Sequence, residues 1–384
     1  MDRNPHPMST THRPDRRRWL TSLGLALSGL GISRLLAAGE LAGAAPSSGT
    51  GKLVRLSLNE NPFGPSPQVA AALARQVPEL CRYTGSELYD LRAAIVAKER
   101  IAPDQIVLGE VLEPLGRHLS ARGGPGSELI YSDPGYTALI DAAAASGGHG
   151  VAVPLNSQLE NDLPALAARV SSRTQAVYLV NPHNPTGIVA EADELRDFAR
   201  KLARRALVIV DEAYLEFADQ VPRRTLSDLV GAGENVVVFR TFAKAYGLAG
   251  LDIGYALVPR WLARALVAQG ANDPHSFNRL AVAAATASLR DGGYLQRVRT
   301  RVAAERQQWF ALFRQMRVRF TASAANFVFF ETGMPHPEFS AKLLGEGLAI
   351  GRAFPPYERW ARISIGLPHE NAFARAAVRR VLQR

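Results

Sequence analysis

The sequence contains one cysteine and only five lysines, and both scarcities exclude classes of protein. Because Cys81 stands alone, the chain can form neither an internal disulfide nor a metal site built from cysteines, and we expect no metal. The formal net charge is +10, yet the arginines form no basic runs interleaved with aromatic residues. The sequence therefore gives no indication of a nucleic-acid groove, and we expect no nucleic-acid partner.

The chain also lacks internal repeats and low-complexity segments, and it is not short of apolar residues. Hydrophobic residues make up 47% of its 384 positions, which excludes a disordered chain and is enough for two domains of ordinary size.

The first 44 residues resemble an export signal of the twin-arginine type. Arg16-Arg17-Arg18 is followed by Trp19 and a mildly apolar stretch over residues 19–33, which is too short for a stable membrane span. Ala42-Gly43-Ala44 offers the small residues that a signal peptidase reads. We expect a signal over 1–44 and a periplasmic or otherwise exported protein; an uncleaved anchor or an arginine-rich tail is the alternative.

Short apolar runs alternate with helical patterns over the first two thirds of the remaining chain. Their length and β-branched content predict buried strands. The runs are 105–108, 128–131, 151–153, 175–180, 206–210, 236–240 and 254–258. This alternation predicts an α/β fold with a mostly parallel, seven-stranded sheet.

A smaller α/β domain is predicted at the C-terminal end. A long helical stretch over 293–317 leads to apolar runs at 326–331 and 361–365, with helical patterns after each run. We place an N-terminal arm at 45–80, the large domain at 81–270 and the small domain at 271–384.

Three polar clusters follow predicted strands, at the edge of the sheet where such proteins bind ligands. The first is the turn 181–187, which offers the amide of Asn184. The second contains Asp211 and Tyr214, and the third contains Thr241 and Lys244. A lysine at such a position can be desolvated and act as a nucleophile toward a carbonyl carbon.

An Asp, an Asn, a Tyr and a Lys on three strand ends match the needs of pyridoxal 5'-phosphate. The lysine would form a Schiff base with the aldehyde, and the aspartate would keep the ring nitrogen protonated. The asparagine and the tyrosine would hydrogen-bond the ring hydroxyl.

The ordered motifs of the chain resemble pyridoxal-phosphate-dependent aminotransferases of class I and II, closest to the histidinol-phosphate aminotransferase family. The resemblance covers residues 53–384. The motifs are LNENPFGPSP at 58–67, SDPGY at 132–136, NPHNPTG at 181–187, VDEAYLEF at 210–217, TFAKAYGLAG at 241–250, ANF at 325–327 and RISIG at 362–366. The resemblance implies fold type I, a homodimer, and amino transfer between an amino donor and a 2-oxo acid acceptor.

The resemblance also assigns roles to individual residues. Lys244 would be the Schiff-base lysine and proton shuttle, with Asp211 on the pyridine nitrogen. Asn184 and Tyr214 would donate to the ring hydroxyl, and Tyr136 would stack on the ring.

Further roles concern the phosphate and the substrate. Tyr83 would reach the cofactor phosphate of a neighbouring subunit. Arg362 would hold the substrate α-carboxylate through a bidentate contact. Asn61 and Arg352 would line the substrate pocket.

The chain departs from the family where the cofactor phosphate is held. The family uses a loop rich in Gly, Ser and Ala, a serine before the lysine and an arginine eight residues after it. Here the loop 109–114 reads GEVLEP, and the other two positions are Ala243 and Asp252. An aspartate in place of the arginine turns attraction for a phosphate into repulsion.

Three interpretations remain open at this stage. Backbone N–H groups after Gly109, with Thr241, Arg240 or Tyr83, still hold a phosphate. Alternatively, the carboxylates Glu110, Glu113 or Asp252 recognise a cationic group or an unphosphorylated pyridoxal. In the third, the chain is a small-molecule binding protein without transamination. We favour catalysis, since the residues assigned to the ring and to the substrate carboxylate are intact.

The reaction and the pathway are less constrained than the cofactor. We expect transamination of an amino acid or amine, whereas decarboxylation, racemisation and elimination are alternatives with the same cofactor. Export argues for a specialised pathway rather than histidine biosynthesis.

Overall fold

A computed structural model describes residues 53–383 of the chain. The predicted export signal and residues 45–52 of the predicted arm lie outside the described residues.

The described strands are short and mostly buried. They are β1 Val54–Leu56, β2 Ile106–Leu108, β3 Glu128–Asp133, β4 His149–Pro154, β5 Thr174–Val180, β6 Leu207–Asp211, β7 Val236–Thr241, β8 Gly254–Leu257, β9 Phe327–Glu331, β10 Leu348–Ile350 and β11 Trp360–Ser364.

Helices follow most of these strands. They are α1 Pro67–Gln76, α2 Ser86–Glu99, α3 Leu112–Gly123, α4 Ala138–Ala145, α5 Leu163–Ala168, α6 Ala192–Leu202, α7 Val221–Arg224, α8 Ser227–Gly231, α9 Arg260–Ala268, α10 Arg279–Arg290, α11 Gly292–Met316, α12 His336–Gly345 and α13 Pro368–Leu382. Single 3-10 turns cover Val77–Glu79, Pro103–Gln105, Leu215–Phe217 and Pro274–Ser276.

The central sheet has seven strands in the order β2-β8-β7-β6-β5-β3-β4. Strand β8 is antiparallel to both of its neighbours, and the other neighbouring pairs are parallel. Every residue of β6 and β7 is buried, because apolar clusters cover both faces of the sheet. The mostly parallel sheet expected from the apolar runs is therefore present, and the carboxyl ends of β5, β6 and β7 lie side by side.

Helix α6 shows why the sequence forms helices between these strands. The Glu191 side chain accepts hydrogen bonds from two backbone N–H groups in its first turn, and Arg200 and Lys201 occupy its last turn. Both features stabilise a helix through its unpaired ends and its dipole. Leu195 and Leu202 lie on the buried face and pack on the sheet.

The C-terminal part has its own aromatic core. Strands β9 and β11 pair antiparallel, and α11, α12 and α13 cover them. Trp309, Phe313, Phe330 and Phe339 are fully buried there.

Strand β1 of the arm pairs in parallel with β10 of this C-terminal part. Helix α10 contributes Ala281, Val282, Ala284 and Ala285 to the core on one face of the large sheet. The domain boundary between residues 270 and 271 stays a prediction. Helix α10 follows this boundary in the chain but packs on the large sheet. Among residues 53–383, no helix is long and apolar enough to cross a membrane.

Candidate active site

Three predicted site residues follow neighbouring strands of the sheet. Asn184 lies in the turn after β5, Asp211 ends β6, and Lys244 lies in the loop after β7. Because β5, β6 and β7 are adjacent and parallel, the topology brings these residues to one edge.

Asp211 is a buried carboxylate with two hydrogen-bond donors. The Tyr178 hydroxyl donates to Oδ2 at 3.0 Å, and the Ala213 N–H donates to Oδ1 at 3.0 Å. Burial raises the pKa of Asp211 to about 6, while these donors and Lys244 act in the opposite direction. The sequence analysis missed Tyr178, since its role depends on the register between β5 and β6.

Lys244 faces the arm and Tyr214. Its Nζ donates to the Leu58 carbonyl at 3.2 Å and lies 5.9 Å from the centroid of the Tyr214 ring. The Tyr214 hydroxyl accepts a hydrogen bond from Asn59 Nδ2 at 3.2 Å. The lysine and the tyrosine thus lie in one cluster, as the resemblance implies.

Two asparagines of the arm have different surroundings. Asn59 is buried at the site, where its Oδ1 accepts from the Ser364 hydroxyl at 3.0 Å. The Asn61 amide donates to the carbonyls of Ala245 and Gly64, at 2.9 and 3.2 Å, and so ties the arm to the lysine loop. The sequence analysis selected Asn61 and missed Asn59, although both belong to the same motif.

Arg362 is a buried cation on β11. Its Nη1 donates to Asn184 Oδ1 at 2.6 Å, and its Nη2 donates to the Ser57 carbonyl at 2.9 Å. The guanidinium carbon lies 5.6 and 5.0 Å from the ring centroids of Phe327 and Phe354. Burial lowers the pKa of Arg362 to about 10, so the side chain stays charged at neutral pH.

The Arg362 guanidinium retains donors for a ligand. Its buried Nε has no hydrogen-bond partner within residues 53–383. A Cβ at Gly351 would lie only 3.2 Å from Nε and from Nη2, so a side chain at that position would crowd the guanidinium. A buried, incompletely paired cation of this kind is suited to binding a carboxylate.

Tyr136 and Arg352 line a cavity of about 510 Å³. Tyr136 is 45% exposed, and its pKa is raised to about 12 by desolvation and by the charges of Asp211 and Glu110. Arg352 packs over Phe354, with 4.3 Å between the guanidinium carbon and the ring centroid. Both residues therefore lie at the edge of the site.

Tyr83 lies apart from this cluster. Its side chain is 76% exposed, and its ring packs edge-on against His275 with 4.8 Å between centroids. No contact within residues 53–383 joins it to Lys244 or Asp211, so the single chain does not bring Tyr83 to the site.

The predicted phosphate end lies where β7, β8 and the start of α3 meet. Gly109 has a φ of +103°, and its N–H donates to the Gly254 carbonyl at 2.9 Å. Thr241 pairs with Gly254 across β7 and β8, and its Oγ1 accepts from the Ala243 N–H at 3.0 Å. Helix α3 begins without a side-chain cap. Thr241 and the first turn of α3 therefore offer polar groups at this end.

Carboxylates also face the phosphate end. A Cβ at Gly254 would lie 3.1 Å from Glu110 Oε1, so the Glu110 side chain lies over the start of β8. Desolvation in the concave site, followed by the charges of Asp252 and Asp211, raises the pKa of Glu110 to about 7. Asp252, just before β8, is exposed and has a φ of +45°.

A buried ion network lies beneath the site. Arg240 is 2% exposed and contacts Glu212 at 2.9 Å, Glu216 at 3.3 Å and Glu99 at 3.7 Å. Lys98 contacts Glu216 at 3.2 Å. This network joins α2 to the ends of β6 and β7, on which Asp211 and Lys244 depend for their positions.

The arrangement fits one half of the predicted cofactor better than the other. Asp211, Lys244, Tyr214 and Asn184 suit a pyridine ring that carries an aldehyde and a hydroxyl. At the phosphate end, the carboxylates of Glu110 and Asp252 would repel the dianionic phosphate group. Within residues 53–383, no group of His, Cys, Asp and Glu has the arrangement of a metal site.

Fold and site together define an aminotransferase. Residues 51–379 match the family model of class I and II aminotransferases, and the chain belongs to that family. A histidinol-phosphate aminotransferase of Limosilactobacillus fermentum is 33% identical over 334 residues, which are 85% of this chain and 90% of that protein. Histidinol-phosphate aminotransferase 2 of Pseudomonas fluorescens is 34% identical over 338 residues, 86% of this chain and 90% of that protein.

A solved structure extends the comparison. The histidinol-phosphate aminotransferase of Sinorhizobium meliloti, in complex with pyridoxal-5'-phosphate, superposes with a TM-score of 0.78 at 31% identity, covering 86% of this chain and 92% of that one. These findings confirm the predicted fold type, the predicted aminotransferase and the predicted cofactor of the family.

Proposed function

We propose that this chain transfers an amino group between an amino acid or amine and a 2-oxo acid with pyridoxal 5'-phosphate, in a specialised pathway outside histidine biosynthesis. The observation that supports the proposal is the 2.6 Å contact between Arg362 and Asn184, which joins a buried cation to the turn after β5, on the strand next to the one that ends at Asp211. When bound, the cofactor supplies an aldehyde and an electron-withdrawing ring.

Asp211 and Asn184 orient the ring. Each Asp211 oxygen already accepts one hydrogen bond and retains acceptor capacity for a protonated ring nitrogen. Asn184 Oδ1 is occupied by Arg362, which leaves the Asn184 amide N–H groups free to donate to the ring hydroxyl. The contact with Arg362 thereby determines which way the amide points.

Lys244 performs the proton transfer. Its only hydrogen bond within the described residues is to the Leu58 carbonyl, at 3.2 Å, so the amino group is not committed to an ion pair. Nζ of Lys244 would take the proton from the substrate α-carbon and return it to the carbon that the cofactor contributes as its aldehyde. Tyr214, fixed by Asn59, limits the positions that Nζ can take.

The cavity lined by Tyr136 and Arg352 supports a substrate without a phosphate. Burial lowers the pKa of Arg352, and the negative charges of Asp133 and Asp141 act in the opposite direction. Glu113 lines the same cavity. A neutral or zwitterionic substrate group suits this mixture of charges better than a phosphomonoester does.

A panel of amino donors tests the proposed pathway. Each donor, histidinol phosphate included, is incubated with 2-oxoglutarate, and the new amino acid is quantified by mass spectrometry. We expect at least one donor without a phosphate to exceed histidinol phosphate in kcat/KM. A preference for histidinol phosphate over every other donor would overturn the assignment to a specialised pathway.

We further propose that the enzyme is a homodimer. Tyr83 is exposed in the single chain, and Leu80 and Tyr89, which lie near it in the sequence, are exposed as well. Several exposed large apolar side chains in one short segment are expected of a protein interface. Sedimentation equilibrium should give the mass of two chains, and a Tyr83→Ala variant should weaken cofactor binding; a concentration-independent monomer would contradict the proposal.

Export by the twin-arginine route is also proposed. It rests on the Arg16-Arg17-Arg18-Trp19-Leu20 pattern and on the small residues ending at Ala44. A reporter fused after residue 44 should appear in the periplasm, and Arg16→Lys with Arg17→Lys should retain it in the cytoplasm. Unchanged export of the doubly substituted fusion would refute the route.

A further inference from the structure

The phosphate end of the cofactor site has an unusual balance of charge. Glu110 and Asp252 flank the start of β8, and Asp211 adds a third carboxylate that acts on Glu110. Lys244 is the cation that acts on Glu110. A cavity lined by Glu110 and Asp252 adjoins this end, and Arg117 lies in its wall. Glu113 pairs with Arg117 at 3.4 Å. The side chains closest to a bound phosphate would therefore be mainly anionic.

Space does not limit what this end can bind. The adjoining cavity has a volume of about 830 Å³, and its walls include Glu110, Asp252, Asn272 and Phe277. This volume is ample for a phosphate group. Selection between ligands at this end must therefore depend on charge and hydrogen bonding.

Some groups at this end do favour an anion. The N–H groups in the first turn of α3, together with the helix dipole, attract negative charge. The Thr241 hydroxyl, however, already stabilises the ionised form of Glu110. Water in the open cavity screens the exposed carboxylates. A bound ligand displaces part of this water and so strengthens the repulsion between the carboxylates and its phosphate.

We infer that Glu110 and Asp252 determine the specificity of the cofactor site at its phosphate end, so that the site gains little or no affinity from the phosphate. On this inference, which rests on the proposed function, the chain binds the pyridoxal ring through Asp211, Asn184 and Lys244. Pyridoxal, which carries a neutral hydroxymethyl group in place of the phosphate ester, binds about as tightly as pyridoxal 5'-phosphate.

Equilibrium binding of pyridoxamine and pyridoxamine 5'-phosphate tests the inference. The two ligands differ only in the phosphate, and neither needs a covalent bond to Lys244. Dissociation constants are measured at pH 8 by calorimetric titration of the cofactor-free full chain. We expect the two constants to agree within about tenfold.

Two variants report on the residues named. Glu110→Gln keeps the size of the side chain and removes its charge, and Asp252→Arg reverses a charge. Each should strengthen binding of the phosphorylated ligand about tenfold or more, with little change for pyridoxamine. Asp197→Arg, with the same change of charge on the exposed face of α6, should leave both constants unchanged.

Two results would overturn the inference. One is a wild-type protein that binds pyridoxamine 5'-phosphate much more than tenfold more tightly than pyridoxamine. The other is a ratio of the two constants that neither Glu110→Gln nor Asp252→Arg changes. Amino transfer together with either result would refute this inference alone, whereas binding of neither ligand would contradict the proposed function as well.

Discussion

Arg362 and Asn184 are 178 residues apart in the chain, and a hydrogen bond of 2.6 Å joins them. This contact connects the buried cation on β11 with the turn after β5. In the proposed function, it couples binding of the substrate carboxylate by Arg362 to orientation of the cofactor ring by Asn184.

The first prediction concerns this contact. Arg362→Lys keeps the charge but loses the planar fork that reaches Asn184, Ser57 and a carboxylate together. We expect kcat/KM for amino acid donors to fall by about 10- to 100-fold. Steady-state kinetics checks this, with Arg204→Lys on the surface as the control. Equal kinetics for Arg362→Lys and the control would contradict the role of Arg362.

The second prediction concerns Tyr178 and Asp211. The Tyr178 hydroxyl stabilises the ionised carboxylate, so Tyr178→Phe should raise the pKa of Asp211 above its value of about 6. In the proposed function the ionised form binds the protonated ring nitrogen, so binding should be lost as the pH falls through this pKa. The midpoint of pyridoxamine binding on the acid side should therefore move to higher pH in Tyr178→Phe, as followed by fluorescence titration. An unchanged midpoint would show that Tyr178 does not tune Asp211.

The third prediction is a pH dependence at the phosphate end. Glu110, whose pKa is about 7, faces Asp252, Asp211, Lys244 and Thr241, and it is mostly ionised at pH 8 and mostly protonated at pH 6. A neutral Glu110 repels a phosphate less. The affinity for pyridoxamine 5'-phosphate relative to pyridoxamine should therefore rise as the pH falls from 8 to 6.

Glu110→Gln separates this effect from the titration of the ligand. The phosphate has its own second pKa near 6, which adds to the pH dependence in any protein. The variant should retain that part and lose the part due to Glu110. A pH dependence identical in wild type and Glu110→Gln would refute the prediction.

The fourth prediction concerns the stability of the buried network. Arg240→Leu would leave Glu212 buried without its cation, whereas Glu99 and Glu216 would keep only Lys98. Removing one partner of a buried ion pair costs about 3–5 kcal/mol, and we expect a loss of this size in the free energy of unfolding. Urea denaturation measures it. Arg223→Leu, which breaks the exposed pair with Asp193, should change stability by less than about 1 kcal/mol.

Local patterns were sufficient to predict much of the fold. The run 236–240 corresponds to β7 at Val236–Thr241, and the helical stretch 293–317 corresponds to α11 at Gly292–Met316. Such elements follow from the periodicity of apolar residues within a short window. Asp211 and Lys244 could be selected for the same reason, since each follows a buried strand.

Residues whose roles depend on distant partners could not be predicted in this way. Asn59 meets Ser364 across 305 residues of chain, and no local pattern distinguishes it from Asn61. Tyr178 lies inside a strand and reaches Asp211 only through the register of two strands. The sequence showed that Glu110 departs from the family, but its position over the start of β8 required the structure.

Transfer of ¹⁵N from a labelled amino donor to a 2-oxo acid tests whether Lys244 performs the chemistry. Purified wild-type protein supplied with pyridoxal 5'-phosphate should produce the labelled amino acid, as should Lys201→Ala, a control on an exposed helix face. Lys244→Ala should produce none above the rate without enzyme. Transfer by Lys244→Ala at the wild-type rate, or no transfer by wild type with any donor, would contradict this account.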